Sequence, residues 1–217
     1  PYLGEVVVYS SHYEHRDQVV DARWAAPDFD GFVEEKHAEA TQKEYAVRHD
    51  GHDYAIQEIL VPLVAVGEGD RVVAPAVLTT QVPVARQTQN RDPWRDSFFG
   101  RSTDVRTVTQ STEALPVTIR PLPDDGRPAD FSGLVGRFAM DATPSATEVA
   151  LGDSITLDVV LQGTGTLAGY RLPSMPPDSG FRAYDDEPEV QAVIQDGQFV
   201  SRAHFRRAIV PETEGRL

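Results

Sequence analysis

Two His-x-x-His pairs, His12/His15 and His49/His52, come closest in this 217-residue chain to a pattern that does chemistry. Imidazole nitrogens bind zinc, and Asp50 and Asp53 beside the second pair add carboxylate oxygens. Loops that carried the first pair past a strand end and the second pair into a hairpin would bring both to one end of a β fold. A metal-dependent enzyme would be the result, and zinc uptake abolished by changing His12 and His49 its signature. On a strand, however, residues three apart face opposite sides, so this spacing suits surface histidines better than a ligand set. No metal and no cofactor is therefore expected.

Other short motifs fail on what their mechanisms require. Gly152-Asp153-Ser154-Ile155 has the look of a hydrolase nucleophile block, but the histidine that follows, His204, has no Asp at the spacing such enzymes use. Gly163-Thr164-Gly165 follows a strand like a phosphate loop, yet Pro173, Pro176 and Pro177 occupy the place of the helix whose amides would hold the anion. It reads as a bend in a strand. The acidic run Asp185-Asp186-Glu187-Pro188-Glu189 lacks the glycine-centred loop of a calcium site and reads as a solvated edge. The chain is not expected to be an enzyme.

The segment richest in contact chemistry is Arg91 to Gly100, where Trp94, Phe98 and Phe99 stand among Arg95, Arg91, Asp92 and Asp96. Aromatics with arginine dominate the energetic centres of protein interfaces, so Trp94, Phe98, Phe99 and Arg95 are the candidate partner-binding residues. The alternative is that the rings fold back onto their own domain.

The elements that must position these residues are strands. Ile155, Leu157, Val159 and Leu161 alternate with Thr156, Asp158 and Val160, and Tyr54, Ile56 and Leu60 alternate around Glu58. Asp50-Gly51 and Asp196-Gly197 have hairpin chemistry, because glycine accepts the positive φ of such turns. Val33 to Tyr45 is highly charged and lacks an apolar stripe, so it reads as strand and loop instead of helix. Short strands with turn signals and no amphipathic helix predict an all-β chain of immunoglobulin-like antiparallel β-sandwiches.

The pattern occurs twice. Gly4-Glu5 before Val6-Val7-Val8 is echoed by Gly152-Asp153 before Ile155-Thr156-Leu157, and Pro27-Asp28-Phe29-Asp30-Gly31-Phe32 by Pro177-Asp178-Ser179-Gly180-Phe181. Gly31 to Pro62 spans the same interval as Gly180 to Pro211. Two tandem domains follow, 1–122 and 123–217, joined by the proline-rich segment Arg120 to Pro128, which should be stiff. The first carries the aromatic excursion near 85–105; the second stops soon after Pro211 and is expected to lack its last one or two strands.

Composition narrows the partners. There are 20 Lys and Arg against 34 Asp and Glu, a formal charge of -14. The deficit is shared evenly: 12 cations against 19 anions before Pro123, and 8 against 15 from there on. Without a basic pole, nucleic acid and anionic membrane are poor partners. The absence of cysteine excludes thiol catalysis and thiolate metal sites. No stretch approaches the length of a membrane span, and the chain reads as a soluble piece whose targeting or anchoring segments lie outside it.

The joint Pro121-Leu122-Pro123-Asp124-Asp125-Gly126-Arg127-Pro128 leads into Phe131-Ser132-Gly133-Leu134-Val135-Gly136, a strand, and the turn Val149-Ala150-Leu151-Gly152-Asp153. This series resembles the signature of the BatD, or oxygen-tolerance (aerotolerance), family of bacterial envelope proteins. Gly163-Thr164-Gly165, the aromatic excursion and Val61-Pro62 match it as well, with Thr166 where the family usually has Asn. The resemblance spans essentially the whole chain. It implies a non-catalytic periplasmic scaffold of tandem immunoglobulin-like modules, membrane-anchored in the full-length parent. Implied partners are von Willebrand A-type proteins and a MoxR-type ATPase system; no catalytic residue is implied. The alternative from another class is a cell-surface carbohydrate-binding or adhesion module, which a flat exposed row of aromatics would favour.

Overall fold

The structure is a computed structural model, and it describes residues 1–16, 18–84, 104–176 and 179–215. The chain is all-β, with antiparallel strand pairing throughout its sheets and no helix among the described residues. The first half contains β1 (Val6–His15), β2 (Asp21–Ala25), β3 (Phe32–Glu34), β4 (Thr41–His49), β5 (His52–Ala65), β6 (Gly69–Val73), β7 (Val77–Val84), β8 (Asp104–Ser111) and β9 (Leu115–Ile119). The second contains β10 (Phe138–Pro144), β11 (Ile155–Gly163), β12 (Phe181–Asp185), β13 (Glu189–Gln195) and β14 (Gln198–Pro211). Trp94, Arg95, Phe98 and Phe99 lie outside the described residues.

Long β5 organises the first half. It pairs with β1 along one edge and with β4 and then β3 along the other. Phe32, Val61, Leu63 and Ala65 from this sheet meet Val73 of β6 and Ile119 of β9 in one core, with Trp24 and Val117 packed against it. The β4–β5 turn is at Asp50-Gly51, where φ is +48° and +74°, the paired positive values of a tight hairpin turn.

The second half repeats that sheet. Long β14 pairs with β11 on one side and with β13 and then β12 on the other, and its hairpin turn at Asp196-Gly197 has φ of +50° and +77°. In this way β1, β3, β4 and β5 correspond to β11, β12, β13 and β14. The register corrects one expectation from the sequence. Counted from the matched hairpins, Ala208 stands where Pro62 stands, and Pro211 lies opposite Phe181 as Ala65 lies opposite Phe32.

Aligning the two prolines slips the repeat by three residues, and an odd slip exchanges the two faces of a strand. The core face of β5 is accordingly Ile59, Val61, Leu63 and Ala65, not Tyr54, Ile56 and Leu60. Its true counterpart in β14 is the face bearing Ala203 and Phe205.

The expected second sandwich is reduced, among the described residues, to a single sheet. Val159, Leu161, Leu167, Ala203 and Phe205 form its core, and Leu134, Tyr170 and Leu172 cover it from irregular chain. Residues 167–172 occupy the place in the order that β2 holds in the first half. β2 is a strand because β7 pairs with it; residues 167–172 have no such partner among the described residues and pack as a strap instead.

Candidate functional site

The histidines are arranged by the β1–β5–β4 sheet, not by loops. His12 and His15 lie within β1, while His49 and His52 face each other across the hairpin. His15 stands opposite Ala55, so both pairs do share one end of the sheet. Their rings, however, are differently engaged. His15 stacks on Tyr13 at 5.0 Å, His49 Nε2 is 3.1 Å from Asp50 Oδ2, and His52 Nδ1 contacts the Asp50 carbonyl at 2.9 Å. Among the described residues no three His, Asp or Glu side chains converge on a metal-sized point.

Ser10, His12 and Glu58 meet on the outer face of this sheet, a combination with the components of a catalytic triad. Their geometry is different. Ser10 Oγ and Glu58 Oε1 both approach the same nitrogen, His12 Nε2, at 2.8 and 3.0 Å, and Ser10 Oγ also donates to Glu58 Oε1. A triad needs the serine and the acid on opposite ring nitrogens, so that the acid orients the base that activates the serine. This cluster is a surface hydrogen-bond network.

Two places in the molecule are built with more exacting geometry. The first is the contact between the halves. Leu60 and Pro62 point away from the first core but are as buried as the residues in it. They share their face with Val6 and Val8, which line a crevice with Val135, Gly136, Thr164 and Phe199 of the second half. At its margin lies Glu35, only 5% exposed. Its Oε1 accepts a 2.8 Å hydrogen bond from Thr166 Oγ1, and its Oε2 accepts a 2.7 Å bond from the His37 amide. Thr166 Oγ1 in turn accepts from the Ala168 amide. The turn that presents Thr166 is packed against the chain from Val135 to Phe138, which Gly163 and Gly165 allow by having no side chain.

The second place is a cleft of about 490 Å³ in the first half, between the sheet of β1, β4 and β5 and the sheet of β2, β7 and β8. On the β1–β5 side, the inward face changes character along its length. Val7/Leu63 and Tyr9/Val61 are apolar pairs, then come Ser11/Ile59 and Tyr13/Gln57. Trp24, Leu78 and Gln110 form a row across β2, β7 and β8 and supply the opposite wall. The sandwich is closed at its apolar end and open at its polar end.

No protein family, curated protein or solved structure matches the chain.

Neither the contact nor the cleft was legible in the sequence. Glu35 and Thr166 are separated by most of the chain, and the cleft is assembled from six strands whose polar inward residues look like ordinary solvent-facing positions. The one available signal was Gln57, on the core face of β5 once the register is right. The acids of the run Asp185 to Glu189 are exposed, and two of them also make contacts: Asp185 holds Arg207 through two hydrogen bonds, and Glu187 pairs with Arg171 at 3.1 Å.

Thr166→Val should cost about 1–3 kcal/mol, because the substitution leaves a buried carboxylate oxygen of Glu35 without its donor. Thermal melting, together with amide exchange at Glu35 to His37, measures it. Thr166→Ser, which keeps the hydroxyl, should retain most of the stability.

Proposed function

We propose that this chain is a non-catalytic scaffold: two immunoglobulin-like β units, held in a set orientation, that present surfaces to protein partners in a bacterial envelope. The observation that carries this reading is the two-sided burial of β5 around Leu60 to Leu63, with one face in its own core and the other on the side where Val6 and Val8 line the crevice with the second half. A freely hinged pair of modules would leave Leu60 and Pro62 exposed. Burying them, and tying Glu35 to Thr166 across the contact, restricts the angle between the halves. Restricted geometry serves a protein whose role is to hold surfaces apart at a defined spacing.

The joint supports the same reading. Residues 121–137 form no regular structure, but Arg127 donates to the carbonyls of Leu122 and Pro123 at 3.0 and 3.1 Å. The same guanidinium pairs with Asp124 at 3.1 Å and lies 5.8 Å from the Phe131 ring centroid. One arginine thereby clamps the segment that resembles the BatD joint. In this proposal the chain belongs with BatD-like oxygen-tolerance proteins, and its partners are von Willebrand A-type proteins and a MoxR-type ATPase system. The parent is anchored in the membrane with these units on the periplasmic side. Asn in place of Thr166, as the family usually has, offers Glu35 an amide N–H donor, so Thr166→Asn should melt close to the parent protein.

Photo-crosslinkers placed at Arg91, Trp94 and Phe98 in the anchored parent test the proposal in its own envelope. Recovery of von Willebrand A-type proteins is the expected result; crosslinks confined to this chain would refute it. Trp94→Ala separates the two readings of the aromatic excursion. Partner capture falling at least tenfold with an unchanged melting temperature marks an interface. A lower melting temperature with capture unchanged marks rings folded onto their own domain.

A further inference from the structure

We infer that the cleft between the β1–β5 sheet and the β2–β7–β8 sheet of the first half binds a neutral, hydroxyl-rich ligand, an oligosaccharide. The cleft lies within the roughly 300–1,000 Å³ that small-molecule sites occupy. Its distinguishing property is one buried donor without a partner among the described residues, set amid several accessible polar groups. The Trp24 indole packs against the core, yet its Nε1–H is buried and has no hydrogen-bond partner. A donor left in that condition costs stability, which an acceptor on a bound ligand would recover.

Around Trp24 stand Ser11, Tyr13, Gln57, Gln42 and Gln110. None of these five side chains makes a hydrogen bond to another described residue; Gln42 and Gln110 are exposed and Ser11, Tyr13 and Gln57 partly buried, so all five are free to turn to a ligand. Three glutamines offer both donors and acceptors, which is what a hydroxyl requires, since it gives one hydrogen bond and takes others. Trp24 and Tyr13 supply flat apolar faces suited to the C–H faces of a pyranose ring. Charge settles the class further. His12 and Glu14 touch the cleft from β1 but are exposed and of the opposite strand parity, and His15, which shares the inward parity, is stacked on Tyr13 and does not line the cleft. A phosphate or a carboxylate would find no cation among these groups, and the chain's net charge of -14 repels anions generally.

The inward polar positions give the cleft a cost that a merely structural sandwich would avoid. Ser11 and Gln57 occupy places on the same strands and face as Tyr9 and Val61, where apolar side chains would close the core.

The test is a titration of the protein carrying Trp94→Phe, which leaves Trp24 as its one tryptophan. Cellotetraose, maltotetraose and chitotetraose (fully N-acetylated) are added separately at millimolar concentration, and the Trp24 indole and glutamine amide resonances are followed by NMR. At least one sugar should shift these resonances saturably. Trp24→Phe, which keeps a ring but removes the donor, and Gln110→Ala at the exposed rim should each weaken binding three- to tenfold, about the worth of one hydrogen bond. Unchanged affinity in Gln110→Ala, whose position leaves folding intact, would overturn the assignment. So would silence from all three sugars, equal binding of an anionic tetragalacturonate, or stronger shifts from a neutral acetylated tetrapeptide.

Discussion

Gly165→Ala is expected to destabilise the second half by about 3 kcal/mol or more, at the upper end of what overpacking costs. A Cβ built there falls 2.1 Å from the Val135 carbonyl oxygen and 2.7 Å from Phe138 Cζ. The first obstacle is backbone, which cannot swing aside as a side-chain tip would. Gly165 does not have a positive φ, so the requirement is for space and not for conformation. Gly169 provides the control. Its φ is +76° and nothing lies within 4 Å of where a methyl group would sit, so Gly169→Ala should cost only the left-handed penalty of about 1–2 kcal/mol. Calorimetry distinguishes them: Gly165→Ala should split off an early transition for the second half, while Gly169→Ala shifts it modestly. Equal shifts would mean that the close crossing at Val135 yields easily.

That crossing ties local chemistry to the arrangement of the whole molecule. The Gly163-Thr164-Gly165 turn lets the chain from Val135 to Phe138 lie flat against it, and Ser201 Oγ fixes the turn through the Gly165 carbonyl. Thr166, the next residue, is thereby aimed at Glu35 of the first half. A motif that looks like a phosphate loop is thus the second half's contribution to the contact between the units. Its glycines serve close packing in place of anion binding.

The strands themselves were legible because their signals are local. Ile155 to Leu161 alternates cleanly since only one face of β11 has a core to meet, and Leu157, Val159 and Leu161 all pack there. The Asp-Gly hairpins were equally clear, because their φ requirement belongs to two adjacent residues. β5 defeated the same reasoning. Leu60, Val61, Pro62 and Leu63 are all buried, one parity in the first core and the other on the face that Val6 and Val8 carry beside the second half. Periodicity vanishes when both faces are covered, and with it the means of deciding which parity looks inward. The strap at 167–172 was hidden for a related reason: whether it becomes a strand depends on a partner strand elsewhere in the chain. The cleft, built from Trp24, Gln57 and Gln110 on different strands, requires the register before its members can be seen together.

The strap makes the second large prediction. Arg207 lies on the core face of β14 with its side chain 6% exposed, where an apolar residue would ordinarily be found. Its guanidinium donates from Nε and Nη2 to both oxygens of Asp185, and from Nη1 to the Pro173 carbonyl at 2.8 Å. One buried cation thus joins β14, the end of β12 and the residue that follows the strap. Asp185→Ala leaves that cation in place without its counter-charge and should cost about 2–3 kcal/mol. The figure lies below the 3–5 kcal/mol of a fully buried pair because Asp185 is 47% exposed and water can partly replace it. Removing the cation as well should reverse the penalty: Asp185→Ala combined with Arg207→Met is expected to be more stable than Asp185→Ala alone, since a flexible apolar chain of similar length fills the same space. Arg207→Lys should recover little, because a single ammonium cannot span two carboxylate oxygens and a carbonyl on the far side. Urea midpoints at constant m value rank the four proteins. If the double variant proves less stable than Asp185→Ala, Arg207 contributes through its bond to Pro173 more than through its ion pair, and the strap is held by that carbonyl.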